Sequence, residues 1–199
     1  MKRSPLLLAL LLPLAACVSF GEKPPSSLMT LSATEQLPAG PAKPLTGDNS
    51  ILVYPPTTSQ MLANDHVAVR SGGTSISYLK DARWSDQPSR LFADLLSDTI
   101  AARTDKVVID RRQYALAPGA RLSGKLESFE LISGRGEVVV IYDAVFVPGE
   151  GKPPVSRRFE GRAKTASEKP GPVGRALNEA ANQVAVAVAE WVKAGGATG

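Results

Sequence analysis

The chain is poor in the residues that most often perform chemistry. Its 199 residues include one histidine, His66, and one cysteine, Cys17. A single histidine excludes two-histidine metal motifs, and any Ser-His-Asp triad would have to use His66. A single cysteine excludes an intrachain disulfide framework. No strong excess of either charge is present: 23 Lys and Arg face 19 Asp and Glu, a formal +4. That balance gives little support to nucleic-acid binding, which calls for a clustered basic face, and no nucleic-acid partner is expected. The pairs Arg111-Arg112 and Arg157-Arg158 read as solvated loop and strand faces, with anionic lipid or an acidic partner as the alternative. Long apolar runs are also scarce. The one near the start, residues 5–16, falls short of the roughly 20 residues that a membrane-spanning helix needs.

What that run does have is a setting. Lys2 and Arg3 precede it and small residues close it, the layout of a bacterial secretory signal. Leu14-Ala15-Ala16-Cys17 resembles the lipobox of bacterial lipoproteins. The resemblance implies cleavage between Ala16 and Cys17, with Cys17 diacylated and its new amino terminus acylated. Each buried methylene contributes about 0.8 kcal/mol, and two or more chains make anchoring durable. Val18 stands where inner-membrane retention usually has an aspartate, so the expected destination is the periplasmic face of the outer membrane. Removing Lys2 and Arg3 takes the formal charge from +4 to about +2. With the thiol committed to lipid, thiol catalysis and zinc–thiolate sites are not expected.

A composition of 43% hydrophobic residues suits one domain. The expected divisions are a signal peptide (1–16), a lipidated start and Pro-rich linker (17–50), a folded domain (51–194) and a disordered tail (195–199). Within the linker a short strand at 28–32 is marked by Leu28, Met29 and Leu31. "ILVYPP" at 51–56 reads as a buried strand stopped by two prolines, and alternation around Gly72-Gly73 predicts a hairpin over about 65–79. The period then changes. Leu91, Phe92, Leu95, Leu96 and Ile100 form a helical stripe, with Ser85 or Asp86 as N-cap and Pro88 in the first turn. A short strand at 106–110 and three longer ones at about 120–132, 137–147 and 155–165 follow. In the last, Val155, Phe159 and Ala163 point inward. From Pro172 to about Ala194, Leu177, Ala181, Val184, Val188 and Trp191 mark a second helix, ended by Gly195-Gly196. The sum is an α+β, two-layer domain with a mixed, mostly antiparallel sheet of about six strands.

No enzyme signature stands above background, and no cofactor or metal is expected. His66 reads as a surface or edge-strand residue before it reads as a base. Gly134-Arg135-Gly136 and Gly149-Glu150-Gly151-Lys152 lie between antiparallel strands, so hairpin turns explain them better than phosphate loops. Glu127 and Glu130, three apart on a strand, point to opposite faces and make a poor acid–base pair.

One segment is more specific. Residues 75–100 combine a tyrosine-bearing strand, Arg83-Trp84, a small polar pair and an apolar-faced helix. Together with the lipobox, the Pro-rich lead, "VAVR" at 67–70, the later meander and the long C-terminal helix, this segment resembles the ABC-type transport auxiliary lipoproteins. Two departures are Ser27-Leu28-Met29-Thr30, where that family often has a tyrosine-led strand, and Ser85, where it commonly has alanine. The resemblance implies a non-catalytic accessory subunit of an intermembrane lipid transport system. It also implies an MCE-domain protein and its inner-membrane transporter as partners, and a ring-like homo-oligomer as one form of assembly. The alternative is an envelope-integrity or scaffold lipoprotein with a domain like the TolB amino-terminal domain. Read from the residues alone, Trp84 is a hydrophobic staple against Leu91 or Phe92, with Arg83 and Trp84 as a partner-docking anchor in the other reading.

Overall fold

The longest strand organises the sheet. In the computed structural model, which describes residues 27–41, 43–109 and 119–197, strand β6 (Ala120–Ile132) is flanked differently on its two edges. One edge is filled along its length by β7 (Glu137–Val147), antiparallel from Arg121↔Val147 to Ile132↔Glu137. The other edge is shared by three parallel neighbours in succession. They are β1 (Ser50–Val53) beside Ala120 to Leu122, β2 (Thr57–Thr58) beside Lys125 and Leu126, and β3 (His66–Ser71) beside Glu130 to Ile132. Outside these lie β4 (Ser75–Arg83) on β3, β5 (Val107–Val108) on β1 and β8 (Val155–Lys164) on β7. The result is a forked, mixed eight-stranded sheet. The count exceeds the expected six; the strand without a predicted counterpart is β2, only two residues long, and a segment that short leaves no alternation in the sequence. The strand expected at 106–110 is present as Val107–Val108.

Two helices, α1 (Pro88–Arg103) and α2 (Pro170–Lys193), cover one face of this sheet. Their stripes bury Leu91, Phe92, Leu95, Leu96 and Ile100 from α1, and Leu177, Ala181, Val184, Val188 and Trp191 from α2. Aromatic contacts join the layers: Phe92 meets Tyr142 at 5.3 Å, and Trp191 meets Phe146 at 5.6 Å and Phe159 at 5.5 Å. Where α2 crosses β8 the backbones nearly touch. A Cβ added at Gly161 would lie 2.2 Å from the Ala180 carbonyl oxygen. The opposite face of the sheet is open and carries ion pairs. Arg158 donates to both carboxylate oxygens of Asp143 at 2.6 Å, and Arg162 Nη1 lies 3.0 Å from Glu137. These hydrogen bonds from Arg158 hold the Asp143 carboxyl below its ordinary pKa.

Both helix starts differ from expectation by a few residues, for one reason. Helix α1 is capped by Gln87, not by Ser85 or Asp86, and α2 begins at Pro170, not Pro172. The residue before a proline is pushed out of helical geometry. Gln87 (ψ 139°) and Lys169 (ψ 154°) are accordingly extended, leaving each proline at the first helical position. Asp86 instead accepts the Gln87 N–H at 2.6 Å. At its other end α2 closes as expected at the glycines. The Gly196 N–H reaches the Trp191 carbonyl at 2.9 Å and the Gly195 N–H reaches Val192 at 3.0 Å, with φ +69° and +83° at Gly195 and Gly196.

The predicted hairpin is present, but its second strand runs on to Arg83. Its pairing with β3 shifts register between Ala68↔Tyr78 and His66↔Arg83. Asp81 within this bulge takes φ +56°, a left-handed conformation that aspartate tolerates better than most residues. The bulge breaks the alternation that marked the strand in sequence. The Gly134–Gly136 and Gly149–Lys152 segments are hairpin turns, joining β6 to β7 and β7 to β8.

Candidate functional site

Cys17 and Ala16 lie outside the described residues, as do Arg111 and Arg112. The other two marked positions, Arg83 and Trp84, end β4 and lead into α1. Trp84 is only 2% exposed; its ring packs 5.3 Å from Phe129, and its backbone N–H donates to the Asp65 carbonyl at 2.7 Å. It shares the buried cluster with Leu91 and Phe92. As a docking anchor Trp84 would need ring surface that the fold does not leave it. Arg83 is partly exposed and donates through Nη1 to Asp65 Oδ1 at 3.0 Å. His66 opens β3, which lies between β4 and β6 and is not an edge strand. Its Nδ1 is 3.1 Å from Asn64 Oδ1 and 3.3 Å from Asp65 Oδ1, and its ring stacks 4.8 Å from Tyr78.

The Trp84 corner also receives a segment from the stretch read as linker. The Met29 N–H donates to the Arg83 carbonyl at 2.8 Å, and the Ser85 N–H donates to the Met29 carbonyl at 2.8 Å. This is an isolated bridge between Met29 and Trp84. From there residues 29–35 run as a strap over the helices. Asn178 Oδ1 accepts the Ser32 N–H at 2.9 Å. Asn182 does more: its Oδ1 accepts the Thr34 N–H at 2.9 Å while its Nδ2 donates to the Ser32 carbonyl at 2.9 Å. A side-chain amide carries the same donor and acceptor as a peptide group, so Asn182 pairs with the strap as a neighbouring strand would. At the far end Arg103 Nη1 contacts Glu35, and Arg103 Nη2 lies 2.9 Å from Glu190 Oε1, tying the strap to the C-terminal ends of both helices.

Apolar contacts complete the attachment. Met29, Leu31 and Ala33 are half-buried against the core. Gly174, one turn into α2, makes room for Met29: an added Cβ would lie 2.9 Å from its sulfur. Between the strap and the outer stripe of α2 is an open groove of about 940 Å³, lined among others by Met29, Ser32, Asn178 and Asn182. Among the described residues no group of three or more His, Cys, Asp and Glu is placed to hold a metal. Among them also, no helix is long and apolar enough to cross a membrane.

The sequence reading missed Asn178, Asn182 and Gly174. Their spacing of four and eight places them on one stripe of α2, beside the apolar one, and this was the available signal. The sequence reading weighs Glu130 only as half of an acid–base pair and does not foresee its burial. This carboxylate is 1% exposed on the open side of β6; Oε1 accepts from Arg70 Nε at 2.8 Å, while Oε2 has no hydrogen-bond partner among the described residues. Glu127, by contrast, is half-exposed and pairs with Lys125 at 2.8 Å.

Residues 30–189 match the model of the ABC-type transport auxiliary lipoprotein component family. No curated protein matches the chain. Among solved structures, protein XCC0632 from Xanthomonas campestris is similar at 16% identity and a TM-score of 0.68, over 85% of this chain and 95% of that one. A second, a crystal structure of an uncharacterized protein, is 12% identical with a TM-score of 0.65, over 83% of this chain and 99% of that one. At such identities the likeness shows a shared fold.

Proposed function

Because the chain belongs to the ABC-type transport auxiliary lipoprotein family, we propose that it is the non-catalytic, outer-membrane-anchored accessory subunit of an intermembrane lipid transport system. In this reading Cys17, acylated after cleavage behind Ala16, holds the protein to the periplasmic face of the outer membrane. The folded domain docks on a periplasmic MCE-domain protein. Energy is supplied by an ATPase at the inner membrane, and the domain itself forms and breaks no bonds. The observation that carries the reading is the order of parts along the chain, a lipobox ending at Cys17 just ahead of a family domain matched from residue 30.

Purification of the tagged protein from its native membranes tests the partner. Recovery of an MCE-domain protein is expected, whereas recovery of only peptidoglycan or envelope-assembly components would overturn the assignment. The anchor has its own test. Cys17→Ser is expected to leave the fold intact and release the protein from the membrane, and a variant that still sediments with outer membranes would show the anchor misassigned.

A further inference from the structure

The strap decides where the chain enters the domain. Met29 sits against the first turn of α2 at Gly174, and the strap then runs along α2 past Asn178 and Asn182. The chain upstream of Met29 therefore arrives at the end of the domain that carries the α2 N-terminus. That end also holds two hairpin turns. Glu168 accepts from the Gly134 N–H at 2.7 Å and from Ser133 Oγ at 3.1 Å, and the Ser133 N–H donates to the Arg70 carbonyl at 2.9 Å, next to the 72–74 turn.

The strap also shortens the tether. Were residues 18–50 all linker, they would span up to about 120 Å at 3.3–3.6 Å per residue; residues 18–28 alone span at most about 40 Å. The end where they join is cationic. Arg135, Lys164, Lys169 and Arg175 are exposed there, and α2 has no acidic residue in its first turn. The Arg175 guanidinium lies 3.7 Å from the Cβ position of Gly171, folded toward the helix N-terminus. Three carboxylates share the region, one of them Glu179, exposed one turn along α2 from Arg175. Glu137 is matched by Lys164 at 3.2 Å and Arg162 at 3.0 Å, and Glu168 is taken up by the turn. The exposed balance is positive, and the helix dipole adds to it.

We infer that this end of the domain, the α2 N-terminus with the 133–136 and 72–74 turns, faces the membrane and meets anionic phospholipid headgroups. The strap held by Asn178 and Asn182 imposes that orientation, and the β7–β8 turn at Gly149–Lys152 points away from the membrane. The inference rests on Cys17 as the anchor. Cationic groups near an anionic bilayer are attracted within about a Debye length, roughly 8 Å at physiological salt, so a short tether and a basic end act together.

The test uses the full lipidated chain on vesicles of phosphatidylethanolamine with phosphatidylglycerol. Because acylation consumes the sulfur of Cys17, an introduced cysteine is the only free thiol. A fluorophore at Ala166→Cys is expected to be quenched by headgroup-labelled lipid several-fold more than one at Glu150→Cys. That excess is expected to fall on neutral phosphatidylcholine vesicles and in the Lys169→Glu/Arg175→Glu variant. It should also shrink in Asn178→Leu/Asn182→Leu, in which the freed strap lengthens the tether. Equal or reversed quenching on protein that floats with the vesicles would overturn the orientation alone. An excess insensitive to charge reversal would overturn the headgroup contact. Failure to float with vesicles would overturn the anchor and this inference together.

Discussion

Helix α2 is held on two sides by opposite chemistry. Toward the sheet it presents Leu177, Val184, Val188 and Trp191, and at the margin Gln183 accepts the Arg162 N–H at 3.1 Å. Toward the strap it presents Asn178 and Asn182, and the attachment is mainly hydrogen bonds. Each side has a glycine at its closest approach, Gly161 on the sheet and Gly174 under Met29. The apolar side removes large area from water, at about 25 cal/mol per Å², and this holds the layers together. The polar side exchanges water hydrogen bonds for internal ones at a net of about 1 kcal/mol each. It selects one path for the strap without contributing much to global stability. Strength and direction thus come from different faces of one helix.

Substitutions of decreasing effect separate the two sides. Trp191→Ala removes the ring that contacts both Phe146 and Phe159 and should lower unfolding stability by about 4 kcal/mol in denaturant titration. A loss no larger than that of a surface substitution would mean that the sheet side does not dominate. Gly161→Val drives a side chain against the Ala180 carbonyl and should cost about 3 kcal/mol, read as a fall in Tm. On the strap side, Asn182→Ala removes the groups bonded to Ser32 and Thr34 and should cost about 1–2 kcal/mol. Amide hydrogen exchange should localise that change: Ser32 and Thr34 lose protection while the β7 amides keep theirs. A uniform loss would merge the two sides into one cooperative unit.

The smallest effect belongs to the open face. The Asp143 carboxyl is held below its ordinary pKa by its hydrogen bonds from Arg158. Its contribution is therefore present above the unfolded-state pKa, near 3.9, and is lost as pH falls through the lower folded value. Arg158 is 62% exposed, and solvent screening keeps the contribution of the pair small. Asp143→Asn should lower the neutral-pH Tm slightly, and the difference from the unsubstituted protein should vanish as pH falls below the folded-state pKa. A larger loss at neutral pH would assign the open face a structural weight close to that of the strap.

The periodic elements were readable from the residues. The strands at 120–132 and 137–147 have the predicted bounds, and 155–164 ends one residue short. Long alternation is a local property, and each of these strands has one face against the helices. The bounds that moved were set by pre-proline sterics at Gln87 and Lys169, and by a bulge at Asp81 that alternation does not announce. The strap was not readable as such. Leu28, Met29 and Leu31 marked its apolar start, but its main polar partners sit on α2.

What local pattern could establish, it did: an α+β chain with two amphipathic helices, three long strands and turns at the glycines, because side-chain period depends only on a residue's near neighbours. Only the tertiary structure decided that one edge of β6 is shared by three partners, that the Trp84 ring is enclosed and that residues 29–35 are strapped to α2. The strap's hydrogen bonds to α2 join positions 146, 148 and 150 apart in the chain. Contacts at that separation leave no periodicity for a sequence to display; they form only after folding has brought the two segments within reach.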